Sequence, residues 1–272
     1  MVQQLTPDSL RLVAEAPIGR ISAWGHFCGV TFFSGQTRKL LFEAYLYFRW
    51  LDDLIDEVLP FQQACVALLA REKALISAWY DGESEAGPEY AAERSIYEVI
   101  QHDRANDHKL KSMISAFLDA LAWDASRRHH MVSQQALDRY SMLLGQAYAQ
   151  GLLFGLDLDP YDKRLLRASR SAGTAAHLAH MLRDFEDDLS LGYINVSRED
   201  QLRFGLRFPN PEPITIIPWK QHLATRACAM FEEARLLGRA LPTFRSRTLF
   251  RLMCARYRLI AERWRPSSRS PA

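Results

Sequence analysis

Apolar side chains recur three and four residues apart along most of this 272-residue chain, and that spacing narrows the choice of fold more than any other feature. Because an α-helix turns once in 3.6 residues, the spacing gathers apolar side chains on one helix face. Only 13 glycines and 12 prolines interrupt the chain, and alternating β-branched runs are few. The sequence therefore predicts an all-α protein.

We predict eight helices from this periodicity. They are placed at residues 36–58, 61–80, 88–105, 107–130, 133–156, 161–191, 218–240 and 243–265. Two stretches, 82–88 and the proline-rich 209–218, interrupt the pattern, and neither is long enough for an interdomain linker. We therefore expect one domain over residues 1–272, with 1–20 and 266–272 flexible and the proline-rich stretch a candidate flap.

Charge is balanced over the whole chain and uneven along it. With 34 Lys and Arg against 32 Asp and Glu, the net charge is +2, which argues against a nucleic-acid binder. From Arg235 to the end, ten arginines accompany a single acid, Glu262. This segment is a candidate contact with acidic membrane lipids, and the alternative is a solvated helix face.

Nothing in the sequence predicts secretion or a membrane span. The N-terminus lacks a basic stretch followed by an apolar run, and no 18 consecutive residues are apolar. The four cysteines form no CxxC pair, so reduced thiols are expected. We expect a cytoplasmic protein that could meet a membrane only through its surface.

A first acidic motif lies at residues 45–57. Asp52 and Asp56 are four residues apart, so a helix places them on one face, in a stripe that Arg49 and Tyr45 continue. An apolar stripe adjoins these carboxylates, which places them at the edge of the core-facing side. Because like charges at this spacing repel, the motif favours a bound cation; the alternative is a solvated acidic face.

A second acidic motif, at residues 177–188, repeats this spacing. Asp184 and Asp188 are again four residues apart, and His177 and His180 extend their stripe toward the N-terminus. Two such helices could project carboxylates from opposite walls of one cavity. Oxygen ligands without cysteine suit Mg²⁺, which commonly bridges a carboxylate to a phosphorylated substrate. A magnesium-bound diphosphate is the expected ligand.

Together these residues resemble the squalene/phytoene synthase family of head-to-head isoprenyl synthases. The similarity covers roughly residues 35–206, with a weaker match near Tyr257. Residues 38–45 and 48–56 resemble the family's first aspartate motif, and residues 182–188 its second. Residues 192–195 and 199–206 resemble the turn and short helix that follow.

The resemblance implies an all-α isoprenoid-synthase helical bundle with a central cavity. Two prenyl diphosphates of 15 or 20 carbons would condense through an allylic carbocation with release of diphosphate. Two or three Mg²⁺ ions would bind with the diphosphate, while an apolar cavity keeps water from the cation. The candidate metal ligands and their support are Asp52, Asp53, Asp56, His180, Asp184, Asp187 and Asp188. The candidate substrate contacts are Tyr45, Arg49, His177, Arg183 and Tyr257.

Several positions depart from the family pattern. His177 and His180 stand where the family usually has Gln and Asn, and the amide at the latter position helps bind metal in relatives. Asn195 replaces a common Tyr. The family's Ser-x-Ser-Phe element has no clean match around residues 24–27, and its small-residue helix break is blurred at residues 145–151. These changes are compatible with a divergent substrate or a different metal demand.

Other functions stay open at this point. The nearest is a divergent terpene cyclase, or a prenyltransferase with a non-prenyl acceptor. A second is a non-catalytic relative kept as an assembly or interaction factor, although all four motif aspartates are present. A third is a redox-metal enzyme that uses His177, His180 and Asp184. No GxGxxG motif is present, so no NADPH site is evident.

Overall fold

A computed structural model describes residues 6–16, 21–59, 61–83 and 87–266, and every regular element in those ranges is helical. This confirms the all-α prediction. The helices are α1 (Pro7–Glu15), α2 (Ala23–Phe32), α3 (Gly35–Asp53), α4 (Gln62–Asp81), α5 (Ala91–Arg104), α6 (Lys111–Arg127), α7 (Gln134–Gly155), α8 (Lys163–Arg183), α9 (Phe185–Ser190), α10 (Arg198–Phe204), α11 (Pro213–Leu237) and α12 (Phe244–Glu262). A π-helical turn (Leu54–Val58) continues α3, and a 3-10 turn (Gly238–Ala240) follows α11.

Two helices near the N-terminus, α1 and α2, were missed by the periodicity. Both begin at a hydroxyl N-cap: Thr6 accepts from the backbone N–H of Ser9 at 3.2 Å, and Ser22 accepts from that of Gly25 at 3.1 Å. Pro7 occupies the first turn of α1. Because a capping hydroxyl followed by proline is a helix start signal, Thr6-Pro7 could have revealed α1.

Two predicted boundaries were wrong. The single helix predicted over 161–191 is interrupted at Asp184, whose backbone (φ −97°, ψ 11°) ends α8 before α9 begins. The helix predicted from residue 218 begins at Pro213, and Pro218 lies inside it. Proline suits a first turn because its fixed φ is helical and its missing N–H needs no partner there. Only the part of the proline-rich stretch before Pro213 is irregular, and its role as a flap stays a prediction.

The chain divides into two compact units. The first unit contains Met1–Ser126 and Gln150–Tyr161, and the second contains Arg127–Ala149 and Asp162–Ala272. A single domain with a central cavity stays a prediction. Of the ends expected to be flexible, residues 1–5, 17–20 and 267–272 lie outside the described part of the chain.

In the first unit α5 packs against both α3 and α4 around an aromatic and aliphatic core. Trp50, Leu51, Leu54 and Ile55 are at most 2% exposed, so the last turns of α3 and the π-helical turn are anchored by burial. Each fully buried side chain of this size contributes about 1.5–3 kcal/mol relative to an exposed one. The core thereby holds the backbone that carries the first acidic motif.

A buried ionic network joins α3, α4 and α5. Glu72 of α4 and Glu93 of α5 are fully buried, and Arg71 forms ion pairs with both, at 2.6 Å to Glu93. The hydroxyl of Tyr47 in α3 donates to Glu72 at 2.9 Å. Burial, followed by the charge of Glu93, raises the pKa of Glu72. The negative charge of two buried carboxyl groups is therefore compensated by one guanidinium group.

In the second unit α8 packs along α11 and α12. The core of the second unit includes the buried side chains of Leu182, Phe185, Val196, Trp219 and Phe231. The core therefore flanks Asp184 of the second acidic motif, with Leu182 two residues before it and Phe185 directly after it.

The segment of α7 in this unit approaches α8 at two glycines. A Cβ atom on Gly173 would lie 2.6 Å from the carbonyl oxygen of Gly145, and one on Gly145 would lie 2.3 Å from the hydroxyl of Thr174. Such distances leave no room for a side chain, so backbone packs against backbone. This approach places the face of α8 that carries His177 beside Ser141 of α7.

Candidate active site

The first acidic motif spans the end of α3 and the π-helical turn. Asp52 and Asp53 close α3, and Asp56 lies within the π turn. The π-helical turn is held in place by two of its own side chains, because Leu54 and Ile55 are almost completely buried. The carboxyl groups therefore extend from a backbone that its own apolar neighbours hold in place.

Arg49 bridges two of these carboxylates. Its guanidinium lies 3.2 Å from Asp52 Oδ2 and 2.5 Å from Asp53 Oδ1. The side chains of Arg49, Asp52 and Asp53 are 43%, 40% and 24% exposed, so the cluster is open to solvent on one side. Arg49 orients the acids and partly compensates their charge.

The pKa of Asp52 is strongly raised. Burial, followed by the charge of Asp56, raises its pKa to about 7, and Asp53 and Asp124 add to the rise while Arg49 opposes it. Because 40% of the Asp52 side chain stays exposed, a cation from solvent could reach the carboxylate and relieve the repulsion. Crowded oxygen ligands of this kind fit Mg²⁺.

Asp124 of α6 is an acid that sequence reasoning missed. It belongs to the first unit and adds negative charge beside Asp52. The neighbouring contact between Phe48 and Phe117, with ring centroids 4.9 Å apart, packs α3 against α6. A lone acid in a helix carries no spacing signal, so only the packing of α6 reveals its proximity.

The second acidic motif lies at the junction of α8 and α9. Arg183 clasps Asp184 with two parallel hydrogen bonds, Nε to Oδ1 and a terminal nitrogen to Oδ2, both 2.6 Å long. The helix ends at Asp184, so the two motif aspartates do not share the uninterrupted helical face predicted for them. The backbone N–H of Asp188 still donates to the carbonyl of Asp184 at 2.8 Å, which keeps the two residues one turn apart.

Asp188 is linked to a buried arginine through Asn195. The amide nitrogen of Asn195 donates to Asp188 Oδ2 at 2.7 Å, and its oxygen accepts from Arg127 at 2.6 Å. Arg127 is only 4% exposed, and its guanidinium lies 5.6 Å from the ring centres of Tyr140 and Tyr193. The residue that departs from the family pattern thus orients a motif aspartate.

The two histidines before this motif have different partners. His177 Nδ1 lies 3.0 Å from the hydroxyl of Ser141, and its ring meets Tyr140 edge-on at 5.0 Å. His180 packs against Tyr257 of α12, with ring centroids 4.9 Å apart. Burial lowers the pKa of His177 to about 3 and that of His180 to about 4, and the charge of Arg183 contributes to the latter shift. Both rings are therefore neutral near pH 7.

The remaining candidates lie nearer the surface. Tyr45 is 40% exposed on α3, and Asp187 is exposed in α9. In the described ranges, no three His, Cys, Asp or Glu side chains converge closely enough to hold a metal ion as they stand. The first motif lies in the first unit and the second motif in the second, and a cavity shared by both stays a prediction.

Comparison with known proteins identifies the class. The described fold is all helical, and the family model described as squalene/phytoene synthase matches residues 22–269. The chain belongs to this family. It also resembles the crystal structure of squalene synthase HpnC from Alicyclobacillus acidocaldarius, with a TM-score of 0.68 and 21% identity over 94% of this chain and 91% of that one. A comparison with curated proteins found no match.

Proposed function

We propose that this protein is a Mg²⁺-dependent prenyltransferase that condenses two prenyl diphosphates of 15 or 20 carbons head to head and releases diphosphate. Membership of the squalene/phytoene synthase family supports prenyl transfer in general. The observation that carries the metal dependence is the burial of Asp52 together with its crowding by Asp56, Asp53 and Asp124, which raise its pKa to about 7. Repulsion of this kind is relieved by a divalent cation.

The acidic side chains are the proposed metal ligands. Asp52, Asp56, Asp184 and Asp188 hold Mg²⁺ directly or through water, with Asp53 and Asp187 as nearby support. Bound Mg²⁺ supplies positive charge that stabilises the departing diphosphate. His180 is a candidate additional ligand, since its lowered pKa leaves the ring without an extra proton near pH 7.

The basic and aromatic side chains hold the acids and contact the substrate. Arg49 and Arg183 orient their aspartates through the ion pairs described above and carry charge of the sign that a diphosphate requires. His177, neutral and beside Ser141, is a proposed hydrogen-bonding contact and not a cationic one. Tyr45 and Tyr257 are proposed substrate contacts, and Tyr257 also supports the His180 ring.

Incubation of the purified protein with farnesyl or geranylgeranyl diphosphate and Mg²⁺ tests this function. Diphosphate release and hydrocarbon product are measured separately, since a terpene cyclase or a transferase with another acceptor releases diphosphate without forming the head-to-head product. We expect Asp52→Ala and Asp184→Ala each to abolish turnover while leaving the far-UV circular dichroism spectrum unchanged.

Asp119→Ala is the matched control, because this half-exposed α6 acid pairs with Lys73 on the surface. It should keep wild-type turnover. Retained turnover in both motif variants would contradict the assignment.

A cytoplasmic location with peripheral membrane contact is proposed as well. In the described part of the chain, no helix combines the length and apolar character needed to cross a bilayer.

A further inference from the structure

The outward face of α12 carries an apolar stripe that the fold leaves uncovered. Leu249, Phe250 and Ala261 are buried on the inner face. On the opposite side Phe244, Leu252 and Leu259 are 79%, 38% and 62% exposed. At about 100° per residue these three side chains lie within roughly 80° of one another. They form one line along the helix, which we call the outer stripe.

Arginines border the outer stripe. Residues 244–266 contain seven arginines and one acid, Glu262, which accepts a hydrogen bond from Arg258 at 2.6 Å. Exposed Arg251 lies on one side of the stripe, and exposed Arg263 lies on the other by helical geometry. The surface is therefore apolar along its middle and cationic at its edges.

We propose that the outer stripe and its arginines dock on the surface of a bilayer that contains anionic lipids. A helix of this pattern lies in the membrane interface with its apolar side chains among the acyl chains and its arginines at lipid phosphates. An anionic bilayer matches both the apolar middle of this surface and its cationic edges. A nucleic acid would pair with the arginines and leave Phe244 and Leu259 in water.

The stripe is short, so docking is reversible and depends on anionic lipid. Attraction to an anionic surface strengthens partitioning about five-fold for each basic residue near it, and salt screens that attraction. The biological reason rests on the proposed function: condensation of two prenyl diphosphates yields a hydrocarbon that water does not dissolve. Docking brings the enzyme to the phase that accepts such a product.

Co-sedimentation with lipid vesicles tests the docking. We expect the full-length protein to bind vesicles of phosphatidylcholine with about 30% phosphatidylglycerol at least ten-fold more strongly than pure phosphatidylcholine, and to be released as sodium chloride rises from about 0.1 to 0.5 M. The double variant Phe244→Ser/Leu259→Ser should weaken binding about ten-fold. The double variant Arg251→Gln/Arg263→Gln, which removes two charges worth about five-fold each, should weaken it about 25-fold. All four positions are exposed, so circular dichroism should show intact folds.

Matched controls use equally exposed residues of the second unit. Leu202→Ser/Ile214→Ser removes apolar side chains that are 82% and 78% exposed, and Arg139→Gln/Arg164→Gln removes two exposed arginines outside α12. Both controls should bind anionic vesicles within two-fold of the wild type. Equal loss in the controls and the stripe variants would overturn the proposal.

Other results would also overturn it. One is equal binding to neutral and anionic vesicles, or binding to neither. Another is binding of a single-stranded RNA as tightly as anionic vesicles with no loss in Phe244→Ser/Leu259→Ser, which would make this a general cationic helix face. The assay contains no substrate and the variants avoid the proposed active-site residues. Absent docking with normal turnover therefore rejects only the docking, and absent turnover with normal docking rejects only the proposed function.

Discussion

The side-chain amide of Asn195 donates a hydrogen bond to Asp188 Oδ2 over 2.7 Å. Its carbonyl oxygen is occupied by buried Arg127, so the amide group is held in one orientation. Partners of this kind commonly change metal affinity 10- to 100-fold when removed, because they orient the ligand that touches the metal. Asn195 therefore couples the second acidic motif to the interior of its unit.

We expect Asn195→Ala to raise the Mg²⁺ concentration for half-maximal turnover about 10- to 100-fold. The shift in melting temperature that Mg²⁺ and inorganic diphosphate produce should shrink in parallel, which gives a readout independent of turnover. Asn106→Ala is the control, since Asn106 is exposed and its side chain donates to the nearby carbonyl of His102. An unchanged Mg²⁺ requirement in folded Asn195→Ala would show that Asp188 does not need this contact.

His177 makes stability depend on pH. Burial lowers its pKa from about 6.5 to about 3, so between these values the unfolded chain binds a proton that the folded protein does not. The stabilisation is fully present above pH 6.5 and is lost as pH falls toward 3. Between pH 7.5 and pH 5 we expect His177 to account for about 1–2 kcal/mol of lost unfolding free energy.

Urea denaturation at the two pH values measures this effect. His177→Gln removes the titrating group and keeps a side chain that can bond the hydroxyl of Ser141. Its loss of stability on acidification should be smaller than that of the wild type by the same 1–2 kcal/mol. Equal losses would mean that the imidazole is solvated enough to titrate normally, and the same substitution at exposed His26 is the control.

Arg71→Met should be among the most destabilising substitutions in the first unit. It leaves Glu72 and Glu93, both fully buried, without their shared cation, and such a change typically costs about 3–5 kcal/mol. Lys73→Met, two residues further along the same helix, breaks only the half-exposed pair with Asp119 and should cost less than about 1 kcal/mol. If Arg71→Met and Lys73→Met have unfolding free energies within about 1 kcal/mol of each other, Arg71 has no essential role in the stability of this unit.

Gly173→Ala tests the close approach of α7 and α8. The new Cβ would lie 2.6 Å from the carbonyl oxygen of Gly145, so the helices must separate, at a cost of about 1–3 kcal/mol. Separation also removes Ser141 from His177, so turnover should fall with stability. Gly35→Ala adds a methyl group with no atom within 4 Å and should change neither. A wild-type melting temperature for Gly173→Ala would contradict this packing.

Much of the fold could be predicted because helices leave local signals. Apolar spacing located α3 to α8, α11 and α12 to within several residues at most ends, and the family resemblance added the short helix α10. The misses also had local causes. The short helices α1 and α2 have little periodicity and are marked mainly by their caps, Thr6 and Ser22. At Asp184 the sequence keeps a helical pattern, yet the backbone leaves it.

The candidate site likewise has some features that local sequence signals reveal and others that they do not. The amino-acid sequence determined which side chains are the candidate ligands, because two aspartates four residues apart are brought together by continuous helical backbone, as at Asp52 at the end of α3 and Asp56 in the π-helical turn. Only the tertiary structure decided which distant groups act on them: Asp124 beside Asp52, Asn195 on Asp188, and Ser141 on His177. These partners come from other helices or loops, and their positions depend on how whole elements pack, which no local spacing records.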